Sequence, residues 1–209
     1  MKNLTLIITI IMVSVINSCN TGTYHEHDKH LIKLKEGDII FQTCGGSQSS
    51  AVIEVTKSKY SHVGIIFQEK GKWFVYEAQS PVRKTSLDSF INGGKLGKYT
   101  ICRYTEDISK NEIINMKQFY EPYHLSKYDG TFNWSNKRMY CSELVWKMFY
   151  SIGIKLSDYE LFGQYDLSSD KAQIILNQRF PNGVNLSDTV ISPEGLYKST
   201  LLKQIYTNY

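Results

Sequence analysis

The sequence lacks the concentration of basic residues that is typical of nucleic-acid-binding proteins. Its 209 residues carry a formal net charge of only +4, and the charged residues, 21% of the chain, are spread along it without a run of one sign. Binding to a nucleic-acid backbone depends on lysines and arginines gathered on one face. We therefore predict that nucleic acid is not a partner of this protein.

Cysteine is also scarce, and no two cysteines form a C-x-x-C pair. The four are Cys19, Cys44, Cys102 and Cys141. Without paired spacing a structural zinc site is not expected, and we predict neither a metal nor an organic cofactor. Three cysteines follow Cys19, an odd number that leaves at least one free thiol in an exported protein unless that cysteine pairs between chains. A disulfide between Cys44 and Cys102 remains open.

No apolar run is long enough for a membrane-spanning helix. The longest, from Leu4 to Ile16, has about thirteen residues, whereas a span needs about twenty. It follows Lys2 and precedes Ser18-Cys19, a pattern that is typical of a signal peptide and resembles the lipobox of bacterial lipoproteins. We predict that residues 1–18 are removed and that Cys19 is lipidated. The protein is then exported to the bacterial cell envelope and held on a membrane by its lipid, with plain secretion as the alternative.

Residues 19–30 are polar and read as a tether between the lipid and the folded domain. They include three histidines, His25, His27 and His30, so a metal-binding tract is the alternative to a solvated linker. A single domain is expected over residues 31–209, because the chain is long enough for one ordinary hydrophobic core.

Within this domain the patterns predict grouped strands with helices on either side. Strands are expected at 39–41, 62–67, 73–78 and 99–104, and helices at 50–56, at 107–120 and after Cys141, with a further short helix beginning at Pro193 and a strand or helix at 201–205. The helix at 107–120 has Asp107 or Ser109 as its cap, and its apolar side comprises Ile113, Ile114, Met116 and Phe119. The fold class is therefore α+β.

Cys141 is the candidate nucleophile because it begins an amphipathic helix instead of lying within the apolar stripe of that helix. Unpaired amide groups and the positive end of the helix dipole stabilise a thiolate, which lowers the pKa of the thiol. The alternative is a cysteine that simply packs beneath the helix.

His62 is the candidate general base, and Glu77 is its expected partner. If Lys70-Gly71 is a two-residue hairpin loop, Glu77 lies opposite Gly64 and diagonally across from His62 on the same face of the sheet. A carboxylate there fixes the imidazole tautomer. The alternatives are a structural histidine and an exposed strand carboxylate. We expect Glu77→Gln, which keeps the shape and an acceptor, to be milder than Glu77→Ala.

The segments GDIIF, SHVGI, YEA, YCSELVW and SPEGLY, in this order over residues 34 to 200, resemble the permuted papain-like amidases of the NlpC superfamily, YaeF/YiiX group. The resemblance implies a circularly permuted papain-like fold, with an antiparallel sheet or small barrel packed against the cysteine helix. It also implies Cys141, His62 and Glu77 as nucleophile, base and polar third member. Asp129, with its neighbour Tyr128, is expected at the cleft.

These residues together predict a cell-envelope cysteine hydrolase that cleaves an amide bond, with a cell-wall peptide as the leading substrate. The oxyanion is expected to bind the backbone amide of Cys141 and a second donor, either Tyr140 or a loop amide. Two alternatives stay open: a lipid hydrolase or acyltransferase resembling lecithin:retinol acyltransferase, and a catalytically inactive binding lipoprotein.

Overall fold

A six-stranded antiparallel sheet forms the centre of the protein in the computed structural model, which describes residues 33–209. The strands run in the order β4-β3-β2-β1-β5-β8. Their bounds are β1 Asp38–Gln42, β2 His62–Glu69, β3 Lys72–Glu77, β4 Arg83–Ser86, β5 Tyr99–Tyr104 and β8 Leu202–Thr207, and a separate two-stranded sheet pairs β6 Glu160–Leu161 with β7 Thr189–Val190.

Six α-helices surround these sheets in the described part of the chain. They are α1 Ser47–Thr56, α2 Leu87–Gly93, α3 Lys110–Tyr120, α4 Cys141–Tyr150, α5 Asp170–Arg179 and α6 Pro193–Tyr197. Helix α4 packs against β2 and β3, and α5 packs on α1.

The predicted α+β fold, with its antiparallel sheet against the cysteine helix, is confirmed.

Helix α3 lies within the predicted range, but the predicted set of core-facing residues is only partly correct. Ser109 is its cap, since the Ser109 side chain accepts a hydrogen bond from the Glu112 amide and the Ser109 amide donates one to the Glu112 carboxylate. Ile113 and Met116 face the core, as predicted, but Ile114 is 50% exposed. Residue 114 lies one step, about 100°, around the helix from residue 113, which turns its side chain to solvent.

Helix α4 is not amphipathic in its surroundings, contrary to the prediction. Every residue from Cys141 to Phe149 is buried, and only Tyr150 at its end is exposed. Its two charged residues, Glu143 and Lys147, are buried together as an ion pair at 2.7 Å. The polar positions that suggested a solvated face are therefore neutralised inside the protein.

Cys44, Cys102 and Cys141 are all free thiols, so the disulfide that the sequence left open is not formed. Among the described residues, no helix combines the length and the hydropathy that a membrane span requires. The predicted signal peptide, the lipidated Cys19 and the tether over residues 19–30 lie outside the described residues and remain predictions.

Candidate active site

Cys141 is the first residue of α4, where the positive end of the helix dipole lies. Its side chain is almost fully buried, with 6% exposure. The sulfur contacts the His62 ring and the backbone N–H groups of Ser142 and Val63. These donors, together with the helix terminus, stabilise a negative charge on sulfur.

His62 and Glu77 face each other across the β2–β3 hairpin. The register pairs Glu69 with Lys72, which confirms the predicted two-residue loop. The His62 Nε2 atom lies 2.5 Å from Glu77 Oε2, and both residues are buried. Gly64, on the same hairpin, has no room for a side chain, because a Cβ atom there would come within 2.4 Å of a Val75 methyl group.

The imidazole ring of His62 is held in a fixed orientation between its partners. Phe90 stacks on it with ring centroids 5.4 Å apart. Since Nε2 faces Glu77, Nδ1 is the nitrogen left for the hydrogen bond with Cys141. The ring therefore connects the carboxylate with the thiol.

Mutual interactions in this set favour a thiolate–imidazolium pair. Burial opposes the charged form of His62, but hydrogen bonds to Cys141 and Glu77 outweigh it and raise the pKa of His62 well above its usual value. Burial likewise raises the pKa of the Cys141 thiol, yet the hydrogen bond and the charge of His62 bring that pKa below its ordinary value. Cys141 and His62 thus titrate as a pair, and both shifts favour its ionic form.

The second oxygen of Glu77 is bound by two residues that the sequence did not single out. Glu77 Oε1 accepts hydrogen bonds from Arg83 Nε at 3.0 Å and from Thr85 Oγ1 at 2.5 Å. Burial raises the pKa of Glu77, but the His62, Thr85 and Arg83 contacts lower it below the usual value overall. Both donors lie on β4, whose RKTS sequence has no apolar pattern, so only its pairing with β3 could reveal them.

Two cavities meet at this site. One, of about 90 Å³, lies beside Cys141 and has a mainly apolar lining; the other, of about 180 Å³, lies beside His62 and has a more polar lining. Gln48, Ser61 and Tyr128 line both cavities. These three residues therefore mark the junction that a substrate extending from the thiol past the imidazole must cross.

Tyr128 lines both cavities, and its neighbour Asp129 orders the loop that follows. The Tyr128 hydroxyl accepts a hydrogen bond from Gln48 Nε2 at 3.0 Å. Burial and the Cys141 charge raise the pKa of Tyr128, so the phenol keeps its proton. Asp129 is buried and accepts hydrogen bonds from Thr131 and from the Asn133 amide, which fixes the loop without contact to the thiol.

Tyr140 also lines the cavity beside Cys141. Its hydroxyl oxygen accepts a hydrogen bond from the Ile191 amide at 3.0 Å, and the residue is 2% exposed. This contact links the residue before the nucleophile to the strand–helix connection at β7 and α6.

Cys44 lies on the other side of His62, in the more polar cavity. It is half-buried, and burial raises the pKa of its thiol. Cys44 is therefore a poorer nucleophile than Cys141 at neutral pH.

Comparisons with known proteins agree with this geometry. The chain is 35% identical over 170 residues to the uncharacterized protein YiiX of Escherichia coli (strain K12), an alignment that covers 81% of this chain and 84% of the relative. It superposes with a TM-score of 0.81 and 33% identity on the crystal structure of the metalloprotein yiiX from Escherichia coli O157:H7, covering 85% of this chain and 99% of that one.

The name of that solved structure raises the question of a metal in this chain. Within residues 33–209, no three or more side chains of histidine, cysteine, aspartate or glutamate are placed to hold a metal ion. The described residues therefore do not fit a metal centre.

The sequence model of the permuted papain-like amidase enzymes, YaeF/YiiX, C92 family, matches residues 33–206. That match covers nearly all of the described fold, including the cysteine at the start of α4 and the histidine at the start of β2. The family that the motifs suggested is thus confirmed, and the chain belongs to the permuted papain-like amidases of the YaeF/YiiX type.

Proposed function

We propose that this protein is a cell-envelope cysteine hydrolase that cleaves an amide bond with Cys141 as nucleophile, His62 as general base and acid, and Glu77 as the orienting carboxylate. The observation that carries the proposal is the interaction of the His62 ring with Glu77 on one side and with Cys141, at a helix N-terminus, on the other. This set fits the requirements of an activated nucleophile and an oriented base.

The reaction would proceed in two steps. The Cys141 thiolate adds to the amide carbonyl carbon, and the His62 imidazolium then gives its proton to the departing nitrogen as the carbon–nitrogen bond breaks. A thioester on Cys141 remains. Neutral His62 next takes a proton from water, the resulting hydroxide equivalent adds to the thioester, and the Cys141 thiolate leaves. These two steps require no metal or organic cofactor.

The oxyanion would bind the backbone N–H of Cys141 and one tyrosine hydroxyl. Tyr140 and Tyr128 both line the cavity beside the thiol. Tyr128 is better placed as the second donor, because it lies at the junction of both cavities, while Tyr140 is buried against Ile191. In this assignment Tyr140 supports the start of α4.

A cell-wall peptide is the leading substrate class. The His62 side of the site receives the leaving amine, and its polar cavity, which includes Ser49, Gln79 and Ser80, suits a polar peptide group. A lipid at Cys19, inserted in a membrane of the envelope, would keep the enzyme near this substrate.

A lipid ester or amide is the second candidate substrate. The cavity on the acyl side of Cys141 is lined mainly by apolar residues, among them Val52, Val55, Phe132, Phe162 and Val190. An aliphatic acyl chain would bury its methylene groups there, which favours activity of the lecithin:retinol acyltransferase type.

The experiment that tests these proposals is a screen of the full chain, with Cys141→Ser as the matched control. The substrates are muropeptides, dipeptide amides and phospholipid vesicles. We expect new amino groups from muropeptides or dipeptide amides with the wild-type chain alone. Fatty acid release from vesicles without muropeptide cleavage would favour the lipid substrate. If an electrophilic thiol probe fails to label Cys141 in the folded protein, the binding lipoprotein is favoured instead.

A further inference from the structure

A chain of hydrogen bonds leads from the end of α5 through α1 to the cleft. Arg179 Nη2 donates to Gln48 Oε1 at 2.6 Å, and Gln48 Nε2 donates to the Tyr128 hydroxyl at 3.0 Å. Arg179 and Gln48 are 131 residues apart in sequence, and the packing of α5 on α1 brings them together.

The chemistry of the three groups fixes the direction of each hydrogen bond. A guanidinium only donates, so the Gln48 atom that faces Arg179 must be the carbonyl oxygen. The Gln48 amide nitrogen then faces Tyr128 and donates to the phenol oxygen. The Tyr128 proton must point elsewhere, and among residues 33–209 it has no other hydrogen-bond partner.

We propose that Gln48 and Arg179 are positioning residues that direct the Tyr128 hydroxyl proton into the cleft, where it binds the oxyanion. This inference rests on the proposed function. Arg179, which lies outside the cleft, sets the direction of the hydrogen bond between Gln48 and Tyr128. That direction decides whether Tyr128 can donate to the oxyanion.

Arg179 also holds the loop that carries Tyr128. Its Nη1 atom donates to the Gly130 carbonyl at 2.7 Å, and its guanidinium lies 5.5 Å from the centre of the Phe132 ring. One side chain thus fixes the position of the loop and, through Gln48, the direction of the phenol proton. Both effects keep the donor aligned before the reaction begins.

Gln48→Glu separates this role from a purely structural one. Glutamate keeps the size of the side chain and the contact with Arg179, but both of its oxygens are acceptors. Tyr128 must then donate its proton to residue 48 and cannot donate it to an oxyanion. Tyr128→Phe removes the donor directly, and Gln178→Glu, on the exposed side of α5, is the matched control for the added charge.

Two reactions of Cys141 provide the readout without a natural substrate. Acylation by p-nitrophenyl acetate passes through an oxyanion and releases p-nitrophenolate, whereas alkylation by iodoacetamide displaces iodide without an oxyanion. We expect the ratio of acylation to alkylation rates to fall about 100-fold in Gln48→Glu and in Tyr128→Phe, the usual effect of losing one such donor. The double variant should fall no further, because both changes remove the same hydrogen bond.

Arg179→Met should lower the ratio less than Gln48→Glu does, since the Gln48 amide is then free to adopt either orientation. Gln178→Glu should leave it unchanged. If the ratio in Gln48→Glu equals that of the wild type, the proposed positioning role is wrong. It is also wrong if the acylation and alkylation rates fall by the same factor, because the substitution then acts on the Cys141 thiolate. If the wild-type Cys141 reacts with neither reagent, the proposed function itself fails.

Discussion

Replacing Glu77 with glutamine probes the hydrogen bond that orients the imidazole. From the sequence, glutamine is expected to be milder than alanine because it keeps an acceptor. The contacts in the structure predict the opposite order. Glu77 Oε1 faces Arg83 Nε, which can only donate, so the glutamine oxygen must take that position. The glutamine NH₂ group then faces His62 Nε2 and forces the ring proton onto Nδ1, toward Cys141.

The magnitude follows from two losses that act together. A nearby opposite charge raises a histidine pKa by about 1–3 units, each unit being about 1.4 kcal/mol. The wrong tautomer adds to this loss, because His62 can no longer accept the thiol proton at Nδ1; the equivalent carboxylate-to-amide change in a Ser-His-Asp triad costs about 10⁴-fold in kcat. We expect a loss of about 10³–10⁴-fold in Glu77→Gln. The loss should be smaller in Glu77→Ala, where water can take the place of the carboxylate.

The assay is the rate of Cys141 alkylation by iodoacetamide as a function of pH, together with turnover of the substrate found in the screen. In the wild type, the Cys141–His62 ion pair should allow alkylation at pH values below the ordinary pKa of a thiol. In Glu77→Gln this alkylation at lower pH should disappear. Adding Arg83→Met should restore part of the activity, because the hydroxyl of Thr85 can accept as well as donate and the amide is free to turn. Faster turnover in Glu77→Gln than in Glu77→Ala would refute the reasoning, as would pH profiles that superimpose on the wild type.

Three further predictions concern other parts of the chain. Cys141→Ser, like His62→Gln, should abolish turnover and change the Tm by less than about 4 °C, the equivalent of about 1 kcal/mol, in a thermal melt; a larger loss would indicate a packing role for the thiol. Cys19→Ala should move the protein from the membrane to the soluble fraction, and membrane-bound protein that keeps its signal peptide would contradict lipidation. Burial raises the pKa of Glu143 to about 7 against the opposing effect of Lys147, so stability present below pH 4.5 should decline as the pH rises to about 7. Between pH 5 and pH 8, the free energy of unfolding from urea denaturation should fall about 3 kcal/mol less in Glu143→Gln than in the wild type. An equal fall in both proteins would contradict this prediction.

The hairpin that carries His62 and Glu77 could be predicted in detail because its information is local. A two-residue loop at Lys70-Gly71 fixes the register, and the register fixes which side chains share a face. The start of α4 at Cys141 was likewise readable from helical spacing. For these reasons the residues proposed for the reaction came from the sequence.

The residues that orient this set could not be predicted, because they depend on contacts between distant segments. The sequence did not predict helix α5, although its Arg179 donates a hydrogen bond to Gln48 on α1. The polar strand β4 was missed as well. The burial of α4 on all sides was also hidden, since the Glu143–Lys147 pair looks like a solvated face until tertiary packing covers it.

An arginine binds one oxygen of a neighbouring side chain at each end of the proposed site. Arg83 faces one oxygen of Glu77 and leaves the other for His62, while Arg179 faces the oxygen of Gln48 and leaves the amide nitrogen for Tyr128. A guanidinium cannot accept a hydrogen bond, so Arg179 determines which end of the Gln48 amide faces Tyr128. The ionised Glu77 can only accept, so Arg83 determines which of its two oxygens is left for His62. Histidine and tyrosine can each form their contacts in either direction, and only one direction supports the reaction. The orientation of the site is therefore set from β4 and α5, two elements whose sequences carry no catalytic motif.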